Sequence, residues 1–304
     1  MLSTNQKIRI ILVASLAAVI GTPLAMIAAI YVALSPAHTA QYLLYMGTPI
    51  KDYAKVDFVK LGLKAESLKI PTANGQSFRG FYFAKKDAPY VLLVSHGQGA
   101  LIYHLGMVKP ALENNCSIML YDYRGYGASG GTASTGNMME DGLAAYDYLV
   151  AVKKIAPERI ILTGTSLGTG IAAEVGTKRS CAAVLLISPY TTITRAAIDA
   201  LPLCKIYPSW LYPKPELACL PLVQKNHQVP IFLIHGAKDP RISINNSREL
   251  KQAAGANCRL VELKDVQHNL TPEQLKHQIK DLVKKLQNNN AQVKTAEQAL
   301  QPVL

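Results

Sequence analysis

The sequence predicts an α/β fold, a mostly parallel sheet covered by helices on both faces. Three observations carry that expectation. Short apolar runs without alternation recur at Tyr90–Val94, Ile118–Tyr121, Ile160–Thr163, Ala183–Ile187, Ile231–Ile234 and Leu260–Leu263. Runs of that length suit strands buried on both faces. Helical patterns fall between them at Met138–Val152, Leu167–Gly176, Asn245–Ala254 and Thr271–Leu286, and strand–helix alternation implies crossover connections in a parallel sheet. The 304 residues are 49% hydrophobic and 17% charged, enough to bury a large core without disulfides or metals.

The elements follow in order. Residues 1–9 form a short tail. Residues 10–34 are an apolar run broken by Ser15 and by Gly21-Thr22-Pro23. As a helix, about 25 residues exceed the roughly 30 Å hydrocarbon core of a bilayer. This is the expected N-terminal transmembrane helix. A cleaved signal peptide competes with it, but its apolar region would span about 7–15 residues. Lys7 and Arg9 precede the run and favour an N-in orientation, with the rest of the chain on the non-cytoplasmic side. The product would be secreted if the segment were cleaved. Residues 35–57 connect the anchor to a domain over 58–288. That domain opens with a hairpin, Leu63–Ile70 and Phe78–Ala84 around Asn74-Gly75. Thr271 before Pro272 reads as a helix N-cap followed by an N1 proline. Residues 191–228 break the alternation with five prolines and several large apolar side chains, and read as a small cap insertion. Residues 289–304 are polar and read as an unstructured tail.

Charge and cysteines narrow the function classes. The net charge of +12 suits an anionic membrane surface. Nucleic acid is not an expected partner, since the basic residues are dispersed and form no recognised binding motif. No CxxC or HExxH spacing occurs, so neither a metal nor a cofactor is expected. Cys204 and Cys219 bracket much of the cap and could bridge in an oxidising compartment.

The chemistry centres on Gly164-Thr165-Ser166-Leu167-Gly168. An apolar strand runs into this pentapeptide and a helix rich in small residues runs out, the setting of a nucleophile elbow. A serine hydroxyl needs a base, and the base needs an orienting carboxylate. Asp239 follows the run Ile231–Ile234, and His268 follows Leu260–Leu263. Both sit beyond strand C-termini, where open α/β sheets bind ligands, and the order Ser, Asp, His fits the elbow. His96-Gly97-Gln98-Gly99 follows the run Tyr90–Val94. The backbone N–H groups of Gln98 and Leu167 are therefore the candidate oxyanion hole. Trp210 and Leu211 of the cap, with Tyr190, are the candidate substrate contacts.

The segments HGQG, YDYRGYGASGG, GTSLG, ISPYTTI, PIFLIHGAKD and VQHN occur in that order. Together they resemble the α/β-hydrolase superfamily, and in particular the membrane-anchored α/β-hydrolase-domain group that includes protein depalmitoylases and related lipid and ester hydrolases. The resemblance covers roughly residues 60–286. It implies an α/β-hydrolase fold, a Ser166–His268–Asp239 triad, structural roles for Asp122 and Arg124, and a small-molecule or lipid-like acyl substrate. Two features differ: HGQG stands where relatives often carry asparagine after HG, and an apolar run replaces the group's cysteine-rich N-terminus. The expected function is hydrolysis of carboxylic esters or thioesters. An acyltransferase, a peptidase and an inactive interaction module stay open.

Overall fold

The computed structural model describes residues 25–38, 58, 62–225 and 229–299. Eight strands form one sheet: β1 (Glu66–Pro71), β2 (Ser77–Phe83), β3 (Tyr90–Ser95), β4 (Cys116–Tyr121), β5 (Ile160–Thr165), β6 (Ala183–Ile187), β7 (Ile231–Gly236) and β8 (Cys258–Leu263). Their spatial order is β1-β2-β4-β3-β5-β6-β7-β8. The opening hairpin pairs antiparallel, β2 joins β4 antiparallel, and every other pairing is parallel. This is the mostly parallel sheet that the apolar runs predict. β3 lies between β4 and β5, so the chain reverses its direction of travel across the sheet there. Crevices at such switch points are where open α/β sheets bind ligands.

The two faces of the sheet build two cores. Val91 and Leu93 of β3 face one way, and Tyr90, Leu92 and Val94 the other, as the two-residue repeat of a strand requires. The first face carries α2 (Thr135–Ala151) and α3 (Gly168–Lys178), with Met138, Leu149 and Ile171 fully buried. The second carries α1 (Val108–Glu113) and α7 (Pro272–Ala299), through Val108, Ala111, Leu275, Ile279 and Leu282. Helix starts follow side-chain chemistry. Ser134 Oγ accepts from Asn137 N at 3.0 Å before α2. Thr271 Oγ1 accepts from Gln274 N while Gln274 Oε1 accepts from Thr271 N, a reciprocal capping box ahead of Pro272.

The structure differs from the sequence reading in four places. Helix α7 continues to Ala299, past the expected start of a polar tail at 289. Its buried stripe ends at Leu286, but no glycine or proline falls between that residue and Ala299, and the first helix breaker is Pro302. Residues 300–304 lie outside the described residues. The segment 191–228 is not all cap. It holds α4 (Ile193–Ala200), two 3-10 turns (Pro202–Ile206 and Ser209–Leu211) and α5 (Leu220–Lys225). α5 buries Leu222 and Val223 in the first core and so serves as the crossover helix from β6 to β7. All five cysteines are free thiols, with no Cys204–Cys219 bridge. Of the apolar run 10–34, only 25–34 is described. It forms a helix over 25–33, and among the described residues no helix is long and apolar enough to cross a membrane. Residues 1–24 of that expectation and most of the connector, 39–57, lie outside the described residues.

Arg124 fixes the loop after β4. Its side chain is 1% exposed. Nε donates to Asp141 Oδ1 at 2.6 Å and the backbone N–H donates to Oδ2 at 2.8 Å. Nη2 donates to Glu140 and to the Asn137 carbonyl. The neighbouring Asp122 accepts from Leu101 N at 2.8 Å. Removing one partner of a buried pair strands the other charge, typically at about 3–5 kcal/mol. Arg124→Ala is therefore expected to lower unfolding stability in urea by that order, and a loss below about 1 kcal/mol would reject this anchoring role.

Candidate active site

β5 ends in the elbow. Ser166 has φ 50°, a left-handed conformation that costs energy for a residue with a Cβ. Its neighbours leave no space for side chains. A Cβ on Gly164 would stand 2.6 Å from Thr169 Cα, and one on Gly168 would collide with the Ser95 carbonyl oxygen. Ser166 N donates to Ile187 O at 2.9 Å, and Tyr190 Oη donates to Leu167 O at 2.8 Å. The elbow is thus held from β6 and from the loop after it. Leu167 caps α3, at the end of a helix whose first N–H groups have no intrahelical acceptor.

Three chain-distant side chains meet beyond the strand ends. His268 Nε2 lies 2.9 Å from Ser166 Oγ, and His268 Nδ1 lies 2.7 Å from Asp239 Oδ2. Asp239 Oδ1 accepts from Arg241 N at 2.8 Å and Ile242 N at 3.1 Å. A second histidine supports the carboxylate. His235 Nε2 lies 3.2 Å from Asp239 Oδ2 and 2.9 Å from Ile242 O, while its Nδ1 lies 2.7 Å from Ser247 Oγ. That pattern lets an Nε2–H face both acceptors while Ser247 Oγ meets Nδ1. Ser188 Oγ donates to His268 O at 3.0 Å and holds the histidine loop. His235, Ser247 and Ser188 have no local sequence signal. The only trace of His235 and Ser188 is membership of the IHG and ISP segments, and Ser247 lies in neither.

The Ser166 hydroxyl opens into a cleft of about 370 Å³. Gln98, Tyr103, His104, Arg241 and Asn269 give it a polar side, and Met107, Ile187, Leu270, Pro272 and Leu275 an apolar one. Gly97 lies flush against Ser166, where a Cβ would stand 3.4 Å from that of Ser166. Two buried polar atoms at this cleft, His104 Nε2 and Thr165 Oγ1, have no partner among the described residues. Burial lowers the His104 pKa to about 4, against a smaller opposing effect of the Gln98 backbone, so the ring is neutral at neutral pH. His96 beneath it is buried and also held well below the usual histidine range, by burial first and by His104 second. Its ring stacks on Tyr123 at 4.4 Å.

The structure brings Ser166, Gln98 and His268 to the cleft, with Asp239 directly behind His268. It does not bring the cap candidates there. Trp210 is 67% exposed, Leu211 is buried in the base of the cap, and Tyr190 is fully buried beneath the elbow. None of the three lines the cleft. The reason is local. Tyr212 and Leu217 bury their side chains in the base, and Tyr212 Oη donates to Cys204 O at 2.6 Å, while Leu201, Leu203, Ile206 and Trp210 stay on the outer surface. The cleft walls come instead from the 3-10 turn Leu101–Met107 and the start of α7. No acidic side chain lines the cleft among the described residues.

Burial pushes the Asp239 carboxyl up. The hydrogen bonds from His235 and His268, and from Ile242 and Arg241 N–H, outweigh it and hold the group well below the usual carboxylate range. A depressed folded-state pKa stabilises the fold above the unfolded value of about 3.9, and that contribution fades as pH falls below it. Asp239→Asn should therefore melt at a lower temperature than wild type at pH 7. The gap should shrink as pH drops below about 4. A gap that stays constant from pH 7 to pH 3 would contradict the ionised, hydrogen-bonded carboxylate.

Residues 89–225 match the family described as serine aminopeptidase, S33, a span that includes Ser166 and ends before Asp239 and His268. The alpha/beta hydrolase domain-containing protein 17C of Xenopus laevis is 31% identical over 179 residues, covering 56% of this chain and 53% of that protein. The chain thus spans about half the length of that relative. An uncharacterized Mycobacterium tuberculosis protein is 27% identical over 203 residues, covering 66% of this chain and 71% of its own. Among solved structures, a Pyrococcus furiosus esterase superposes with a TM-score of 0.65 at 18% identity, covering 79% of this chain and 98% of its own.

Proposed function

We propose, for a chain that belongs to the α/β-hydrolase superfamily, that it is a serine hydrolase of carboxylic esters or thioesters. The observation that carries this reading is the continuous row from Ser166 Oγ to His268 to Asp239, at 2.9 and 2.7 Å. His268 Nε2 takes the Ser166 proton as Oγ attacks the acyl carbon. The carbonyl oxygen gains the charge and is met by the backbone N–H groups of Leu167 and Gln98. Collapse breaks the C–O or C–S bond, and His268 gives its proton to the leaving alkoxide or thiolate. Water then attacks the acyl-enzyme, with His268 again taking the proton, and releases the acid and free Ser166. Asp239, steadied by His235, keeps the imidazole oriented and faces the charge the ring gains when it takes the proton.

The acyl chain lies along Met107, Leu270 and Leu275 in this reading. The match to a serine aminopeptidase family favours a second reading, a peptidase. An aminopeptidase must hold the substrate's terminal ammonium, and the cleft offers it Arg241 and no carboxylate, so the ester reading ranks first. The membrane belongs to the proposal as well. Residues 10–34 tether the domain, and Lys7 and Arg9 favour the non-cytoplasmic side.

Ser166→Ala should abolish fluorophosphonate labelling and lower kcat by roughly a millionfold, as loss of such a nucleophile does elsewhere. Labelling that persists at full strength would reject Ser166. On p-nitrophenyl esters, kcat/KM should climb with acyl length by up to about fourfold per methylene, the transfer energy of a buried CH2. Leu270→Trp fills the apolar side and should flatten that climb while sparing the acetate ester. Parallel profiles for wild type and variant would place the chain elsewhere. Faster turnover of aminoacyl amides than of esters would favour the peptidase.

A further inference from the structure

Eleven large apolar side chains stand exposed among the described residues, and nine of them fall on two short segments. Met26, Ile27 and Ile30 belong to the helix over 25–33, while Leu203, Ile206 and Trp210 belong to the cap. The two segments touch. Tyr31 Oη donates to the Ile206 carbonyl at 2.6 Å, and the Tyr31 and Tyr207 rings stack at 4.6 Å. Exposed apolar patches on a folded domain mark contact with a protein or a membrane.

Continuity selects between those two. The helix over 25–33 is the end of the apolar run 10–34, whose length suits a bilayer. Through Tyr31 the cap sits where that run leaves its apolar stretch and reaches Ser35. The side chains there are of interfacial type: Tyr31, Tyr207 and Trp210 each join an apolar ring to a polar atom. Lys205 is exposed on the same turn, and the chain's net charge of +12 complements anionic headgroups.

We propose that the cap surface around Leu203, Ile206 and Trp210 lies in the interfacial layer of a lipid bilayer, beside the helix over 25–33. The proposal rests on residues 10–34 being a membrane anchor and is independent of the hydrolase reading. A single tether leaves a domain free to turn above the surface. A second, interfacial contact fixes its orientation, and burial of such a face extends about 5–10 Å into the headgroup boundary.

Trp210 is the sole tryptophan of the chain, so intrinsic fluorescence reports on this site alone. The full chain is reconstituted into phosphatidylcholine–phosphatidylglycerol vesicles, with and without lipid brominated near the headgroup end of its acyl chains. Expected are flotation with the vesicles, a blue-shifted emission, quenching by the brominated lipid and protection from aqueous iodide. A variant with L201S, L203S and I206S changes only exposed side chains. It should still float and should lose the quenching and the protection. Three results would overturn the proposal. Flotation with Trp210 open to iodide and untouched by brominated lipid leaves the anchor standing without the cap contact. Protection from iodide without lipid quenching means a protein covers the patch. Failure to float removes the anchor itself, and fluorophosphonate labelling of the same sample tests the hydrolase reading separately.

Discussion

The site depends on one close approach. The first turn of α3 lies against the end of β3 so tightly that Gly168 has no room for a Cβ beside the Ser95 carbonyl. That packing forces the chain through a sharp turn at the end of β5 and leaves Ser166 at φ 50°. The strain persists because several unrelated contacts hold it: the Ile187 carbonyl on Ser166 N, Tyr190 on Leu167 O, and Gly97 pressed against the nucleophile. Strained conformations survive where the surroundings over-determine them. The hydroxyl at the elbow is placed by the sheet rather than by its own preferences.

Around that point, an ionised carboxylate sits close to buried neutral rings, with Arg241 on the cleft wall. Asp239 is held charged by two histidines and two backbone N–H groups. His96 and His104, buried next to the oxyanion loop, are held neutral. A positive charge there would compete with a protonated His268 for the field of the site. Burial of the two rings removes that competition at neutral pH.

Much of this was legible in the sequence, and the reason differs by element. β3, β5, β6 and β7 are buried on both faces, so their residues must be continuously apolar. The elbow was legible because close backbone approach admits only glycine at Gly164 and Gly168. Asp239 and His268 were legible from their place after apolar runs. The supporting residues were not. Ser247 and Ser188 act through contacts 12 and 80 residues apart in the chain, which no local pattern encodes, and His235, four residues before Asp239, sits in a buried strand whose pattern does not mark it. The cap reading placed Trp210 at the substrate, because a large apolar residue in an insertion says that it seeks an apolar partner without saying which. The end of α7 escaped for a simpler reason: polar residues that form helices well look like a tail until a stop signal is sought and found only at Pro302.

The spacing of the site along the chain has a consequence for its assembly. Ser166 and His268 are separated by 102 positions, and the strands that bring Asp239 and His268, β7 and β8, form the far edge of the sheet. During vectorial synthesis the elbow, the oxyanion loop and the strands around them emerge first. A nascent chain that has reached only β6 has Ser166 with neither His268 nor Asp239 beside it. The row from Ser166 to His268 to Asp239 closes only when the last two strands add to the edge. Completion of the fold and assembly of the row of Ser166, His268 and Asp239 are one event.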